Sequence, residues 1–361
     1  MRSYGGYGSY RGRNRGRTAL KVLIAVLLAV LILVVVGFLL LEPYIVYTGN
    51  GVRLDLPFSH RDGETPAVPT PEVSLPLVVI TPAPTPTPAP ETFRAVALPR
   101  SALTDGTAAG LIAAAGGNAA VFDMKADDGS LGYVSDLERA RTAGASAADP
   151  GLNEAIRALN QGALHTVARV SCFRDNKVPY QDNTTAIRTS AGNWRDGGGI
   201  RWMSPARASA RAYVIGVCRE LCELGFDEIV LDHCAFPTDD DGDLSYIRAR
   251  DAYPSDKLSQ VEGFYRELRA ALAEYPEVKL SLITGEAVLN GDAADPSGQT
   301  AAQLAVYADR VWAPLAERNI SDYAGALEAA GMENAAARLV LLTDALPAGE
   351  TGNWALLEVE S

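Results

Sequence analysis

Three charged residues stand inside runs that are otherwise apolar, and any chemistry would begin there. They are Asp123 in VFDMKADD, Arg169 in VARVSCFRD and Asp232 in IVLDHCAFP. A charge within an apolar strand is costly unless it is paired. Side chains alternate along a strand, so Asp123 shares a face with Lys125, Arg169 with Ser171, and Asp232 with Cys234. If these faces meet on neighbouring strands, Arg169 lies between two carboxylates. It would hold at least one of them ionised and leave the other free to give up a proton. Two carboxyl groups flanking a bond is the arrangement that glycoside hydrolysis uses. A purely structural Asp–Arg–Asp network fits the same pattern. Asp232, at the end of its strand, is the expected general acid, and its partner is Asp123, Glu286 or Asp344. Trp194, Trp202 and Trp312 offer flat faces to sugar rings, although core indoles look no different in sequence.

The elements that must position these residues alternate between strand and helix. Apolar runs predict strands over 94–98, 119–124, 166–173, 228–234, 279–284, 310–313, 339–343 and 354–359. Asp149-Pro150 opens a helix over 152–160, and Ser204-Pro205 opens another that runs to Leu224 and stops at Gly225. Further helices are expected over 102–115, 258–273 and 323–330, the last capped by Ser321. Short strands each followed by a crossover describe a (β/α)8 TIM-like barrel. A doubly wound open sheet is the alternative, but no Gly-x-Gly-x-x-Gly follows the first strand. Barrel enzymes work at the C-terminal ends of their strands, where Asp123, Arg169 and Asp232 fall.

Four stretches, NAAVFDMKADDGSLGY, VARVSCFRD, NWRDGGGIRWMSP and LGFDEIVLDHCAFP, occur in an order and spacing that resemble the bacterial "putative glycoside hydrolase domain" family. The likeness covers about residues 93–315. It implies an exported, membrane-anchored barrel grouped with glycosidases by its fold. Asp123, Lys125, Asp127, Asp128, Arg169, Asp175, Trp194 and Asp232 fall on the family's pattern. The chain departs from it after Asp232, where the family has Tyr-Val-Arg-Phe-Pro and this sequence has His233, Cys234, Ala235, Phe236 and Pro237. Leu315, Ala316 and Glu317 replace a Met-x-Tyr-Pro pattern, and the last strand lacks Trp-Leu-Gln. These losses point either to a shifted substrate or to a barrel that no longer catalyses. On this resemblance and the strand positions, Lys125, Asp128, Asp175, Trp194, His233, Glu286 and Trp312 are the candidate sugar contacts.

Before the barrel, residues 22–41 carry no charged or strongly polar side chain. About twenty such residues span a bilayer core, so a transmembrane helix is expected. Residues 1–21 hold Arg2, Arg11, Arg13, Arg15, Arg17 and Lys21 and no acid, which keeps that tail cytoplasmic and the barrel outside. The run ends Leu39-Leu40-Leu41-Glu42-Pro43 with no small-residue cleavage site, favouring an uncleaved anchor. Residues 42–63 form a short juxtamembrane segment in which Gly49-Asn50-Gly51 suits a hairpin turn. Residues 64–92 are a Pro/Thr-rich linker that favours extended polyproline II, and 93–361 make up the barrel.

The chain's net charge is −12 despite that basic tail, so the exterior part is strongly acidic. This argues against nucleic acid as a partner. Cys172, Cys218, Cys222 and Cys234 lie within periodic segments and read as buried free thiols, with no zinc spacing among them. Asp239, Asp240, Asp241 and Asp243 suggest calcium, but the EF-hand alignment puts Pro237 first and Arg248 last, and the motif fails. No metal or cofactor is expected. Serine-hydrolase, zincin and Walker motifs are absent from the sequence. The expected function is an anchored extracytoplasmic glycoside hydrolase acting on a polysaccharide. The alternative is a degenerate barrel that binds carbohydrate or serves as an envelope scaffold.

Overall fold

The computed structural model describes residues 45–48, 51–54, 92–248, 250–290, 296–314, 320–346 and 352–357. The chain divides into two units, Met1–Ala83 and Pro84–Ser361. In the first, Ile45–Thr48 pairs antiparallel with Gly51–Leu54, the hairpin that the Gly-Asn-Gly turn predicts. The predicted basic tail, membrane helix and nearly all of the Pro/Thr-rich linker lie outside the described residues. Among those described, no helix is long and apolar enough to cross a membrane.

The second unit is a closed parallel barrel of eight strands. They are β1 (Arg94–Leu98), β2 (Ala119–Lys125), β3 (His165–Ser171), β4 (Glu228–Asp232), β5 (Lys279–Ile283), β6 (Arg310–Pro314), β7 (Leu339–Thr343) and β8 (Trp354–Leu356). Each pairs with the next, and Trp354 in β8 pairs with Arg94 in β1 to close the ring. Helices α1 (Ala108–Ala114), α2 (Leu152–Asn160), α3 (Ala208–Glu223), α4 (Lys257–Ala271), α5 (Ala301–Tyr307) and α6 (Ile320–Ala329) fall in the connections between successive strands.

Alternation along the strands sorts the apolar residues into two layers. Phe93, Ala95, Ala119, Val121, Val167, Val230, Trp312, Val340 and Ala355 fill the barrel interior. Ala120, Phe122, Met124, Ala168 and Val170 belong instead to the larger core under the helices. The N-terminal end of the barrel is closed by Glu228, which is wholly buried. It accepts a hydrogen bond from Ser281 Oγ at 2.5 Å, pairs with Arg310 and lies 3.1 Å from His165 Nε2. The Arg310 guanidinium also stacks over Phe93, 4.0 Å from the ring centre.

The helix starts differ from the sequence reading where side chains bind elsewhere. The expected helix over 102–115 is split into a 3-10 turn at Arg100–Leu103 and α1, because Gly106 takes a φ of +77° between them. Helix α3 begins at Ala208, four residues past Ser204, whose hydroxyl accepts from Ala206 N and donates to the Ala252 carbonyl. Ser321 falls within the described span of α6. Thr300 and Gln303 form a reciprocal capping box at α5 that the sequence reading overlooked. Gly225 does stop α3, with φ +86°.

Candidate active site

Three adjacent strands bring the predicted charges together at their C-terminal ends. Asp123 on β2 is in register with Arg169 on β3. Asp232 ends β4 opposite Ser171, two residues beyond Arg169 on β3. The Arg169 guanidinium reaches both neighbours. Its Nη1 donates to Asp123 Oδ1 at 3.0 Å, while Nε and Nη2 donate to Asp232 Oδ2 at 3.1 and 2.5 Å. Asp127, from the loop after β2, joins them by accepting from Nη2 at 2.9 Å. The two strand carboxylates are therefore separated by one guanidinium and a hydrogen bond on either side.

The carboxylates differ in what remains open to solvent. Both oxygens of Asp232 are engaged, Oδ1 by the His233 backbone N–H at 2.7 Å, and its side chain is 18% exposed. Asp123 is 42% exposed, and its Oδ2 lies 3.8 Å from Arg100 Nη2. Arg100 is fixed by donating Nε to the Asp123 carbonyl at 2.7 Å. His233 takes a left-handed φ of +46°, a conformation uncommon outside glycine. Its Nδ1 lies 3.4 Å from Asp232 Oδ1 and 3.3 Å from Ser171 Oγ, and its ring meets Trp202 edge-on at 5.4 Å.

A second tier holds this cluster from the long loop between β3 and α3. Arg174 pairs with Asp127 and donates Nε to Asp196 Oδ2 at 2.6 Å. The Trp202 indole N–H donates to the same oxygen at 3.1 Å. The consequences appear in the titration of these groups. Burial raises the Asp127 carboxyl, but Arg169 and His233 outweigh it and hold it well below the usual carboxylate range. Asp196 is also lowered: burial works against it, and its bonds to Arg174 and Trp202 prevail. Arg169 is raised, because Asp232, Asp127 and Asp123 together overcome its desolvation.

Several other predicted site residues lie apart from this cluster or are held by contacts of their own. A register shift after Asp123 sends Lys125 away from the mouth into full burial. There its Nζ pairs with the equally buried Asp175 at 2.9 Å and donates to the Ser171 carbonyl at 2.6 Å. Asp175 Oδ1 accepts from the backbone of Lys177 and Val178, so neither charge faces a ligand. Trp194 is buried, with its indole N–H donated to the Asp243 carbonyl at 2.9 Å. Trp312 is buried inside the barrel against Phe93. Asp128 makes a turn by accepting from Ser130 N and Oγ. Glu286, after β5, is held by the Tyr323 hydroxyl at 2.5 Å. Asp344, after β7, is exposed.

Arg174 and Asp196 are the site residues that sequence reasoning missed. The signal was their place within two of the quoted stretches, VARVSCFRD and NWRDGGGIRWMSP. All four cysteines are free and buried.

A closed parallel barrel of eight strands with carboxylates clustered at the C-terminal ends of its strands is a TIM barrel. Residues 105–316 match the family described as "Putative glycosyl hydrolase domain", and the chain belongs to that family. Among solved structures, the PgaB (BpsB) glycoside hydrolase domain from Bordetella bronchiseptica is similar at 13% identity and a TM-score of 0.50, covering 70% of this chain and 84% of that one. A hypothetical protein from Ruminiclostridium thermocellum is 24% identical, with a TM-score of 0.44, over 53% of this chain and 96% of its own. The glycoside hydrolase domain of PelA from Pseudomonas aeruginosa is 15% identical, with a TM-score of 0.40, over 70% and 84%. No curated protein matches the chain.

Proposed function

We propose that this protein is a glycoside hydrolase acting on a polysaccharide of the cell envelope or its surroundings, with the barrel held outside the cell by the N-terminal apolar segment. The observation that carries this reading is the pairing of Asp123 and Asp232 across one guanidinium, with Asp123 open to solvent. Sequence position alone favours Asp232 as the proton donor. Hydrogen bonding reverses the roles: every oxygen of Asp232 already accepts an N–H, which suits a charged partner. Among the described residues no hydrogen bond reaches Asp123 Oδ2, so Asp123 is the better placed to protonate the leaving glycosidic oxygen. Asp232 and Asp127, fixed by Arg169, would then stabilise the positive charge that develops on the sugar.

The test is reducing-sugar release by the full chain from purified cell wall and a panel of polysaccharides. Asp123→Asn keeps the shape and removes the transferable proton, and release should fall at least ~100-fold. Release that survives in both Asp123→Asn and Asp232→Asn would refute the pairing. A second reading rests on Arg169 itself, which fills the gap between the two carboxylates. If that gap never opens to substrate, the barrel binds a glycan without cutting it. Equal retention of wild type and both variants on one glycan, with no release, would establish this.

A further inference from the structure

The β3–α3 connection carries a second feature that the carboxylate cluster does not use. Its residues 176–207 include Lys177, Arg188, Arg195, Arg201 and Arg207 against only Asp182 and Asp196, on a chain whose net charge is −12. Both carboxylates are occupied elsewhere, Asp182 by Arg139 and Asp196 by Arg174. Within this loop lies a cleft of about 400 Å³ whose lining includes Tyr180, Arg188, Asn193, Arg195 and Arg201. No carboxylate is among the described residues that line it.

Two of these arginines already share a neutral oxygen. Asn176 Oδ1 accepts from Arg201 Nη1 at 2.5 Å and from Arg195 Nη1 at 3.5 Å. Arg201 also lies over the Tyr180 ring, 4.7 Å from its centre, while that ring is 70% exposed. Partial burial, and next the neighbouring Arg195, draw the Arg201 guanidinium below its ordinary value. Two cations are therefore held side by side with no ion-paired carboxylate among the described residues.

The backbone ties this cleft to the carboxylates. Arg195 and Arg201 face each other across a short antiparallel bridge. The next residues along the two arms, Asp196 and Trp202, bond to each other, and Asp196 also accepts from Arg174. Alternation thus puts the arginines on one face of the bridge and the supports of the carboxylate cluster on the other.

We propose that this cleft is a subsite for a negatively charged sugar unit, so that the polysaccharide recognised here is acidic. The Arg188, Arg195 and Arg201 guanidiniums would receive the oxyanion, and the exposed Tyr180 face would take the sugar ring. This rests on the glycan reading above and adds to it the class of substrate. The shared chemistry is an oxyanion on a sugar, supplied either by a uronate or by a phosphodiester.

The experiment is binding of the full chain, in mild detergent, to three immobilised polymers: a uronic-acid polymer, a sugar-phosphate polymer and neutral dextran. Retention is expected on one or both acidic polymers and not on dextran, and it should weaken as salt is raised. The polymer retained identifies the oxyanion. Arg188→Glu, at an exposed position, and Arg195→Gln should each weaken retention about tenfold, while circular dichroism stays unchanged. Equal retention on dextran, no retention on any polymer, or indifference to both substitutions would overturn the subsite. Binding does not require turnover, so the two readings fail separately. Retention on an acidic polymer without release would remove the hydrolase and leave the subsite. Release from neutral glycans alone would do the reverse.

Discussion

Replacing Arg169 with methionine removes the one cation shared by Asp123, Asp127 and Asp232, leaving three carboxylates around an apolar side chain. Removing one partner of a buried ion pair costs about 3–5 kcal/mol. Arg169 is only 16% exposed, but Asp123 is 42% exposed and screened by water. The expected loss is therefore at the low end, about 3 kcal/mol, or roughly 6–12 °C in midpoint for a domain of this size. The pH dependence supplies a sharper check, with Asp127 as the reporter. Its ordinary value is 3.8, and in the fold it is held lower. A carboxyl depressed by folding stabilises the native state above its unfolded value; that contribution begins to shrink there and is lost as pH falls through the lower folded value. Arg169 is the largest favourable cause, so the variant loses most of the depression while burial goes on raising the group. The gap between wild type and Arg169→Met should be widest near neutral pH, begin to narrow near the ordinary value of 3.8 and go on narrowing below it. Thermal unfolding followed by circular dichroism across that range measures it. A gap below about 1 kcal/mol at neutral pH, where breaking a buried pair predicts several, would refute the reasoning, and so would one that does not change with pH.

Lys125→Met leaves Asp175 as an uncompensated charge in full burial, and should lower stability in urea by about 3–5 kcal/mol; a loss below 1 would show the pair to be dispensable. Gly129 sits at φ +87°, and a Cβ there would come within 2.2 Å of Asp175 Oδ1, an oxygen pinned by two backbone N–H groups. Gly129→Ala should therefore destabilise by about 1–3 kcal/mol in the same titration, and a neutral result would mean that the loop shifts freely. Burial pushes all four thiols up, Cys222 and Cys234 to about 12. A thiol reagent at pH 8 should accordingly label the folded protein slowly and all four sites quickly in denaturant, whereas rapid native labelling would contradict their burial.

The barrel was legible because its signal is local. Apolar runs such as Ala119–Lys125 and Leu339–Thr343 stand out against polar connections, and no pairing partner must be known to see them. Asp123, Arg169 and Asp232 were legible for a related reason, since a charge inside such a run must find a partner. Lys125 misled because strict alternation puts it beside Asp123. The register shift between them breaks that alternation, and bulges leave little trace in sequence. Trp194 and Trp312 could not be placed either, since a stacking platform and a core indole have the same composition. Arg174 and Asp196 stand twenty-odd residues apart in a loop whose path no periodicity describes.

The two ends of the barrel hold their charges differently. At the N-terminal end the wholly buried acid Glu228 is wrapped by Arg310, His165 and Ser281. At the C-terminal end, Asp123, Asp127, Asp196 and Asp232 outnumber Arg100, Arg169 and Arg174. An excess of negative charge in this cluster therefore lies at the mouth, beside low-dielectric core. A bond that breaks heterolytically, leaving positive charge on carbon, would find that field waiting at one end only. An anionic group on the same polymer would be repelled there and held instead on the arginine face of the neighbouring loop. That opposition of fields would set the direction in which a chain lies across the mouth, before any shape-specific contact is made.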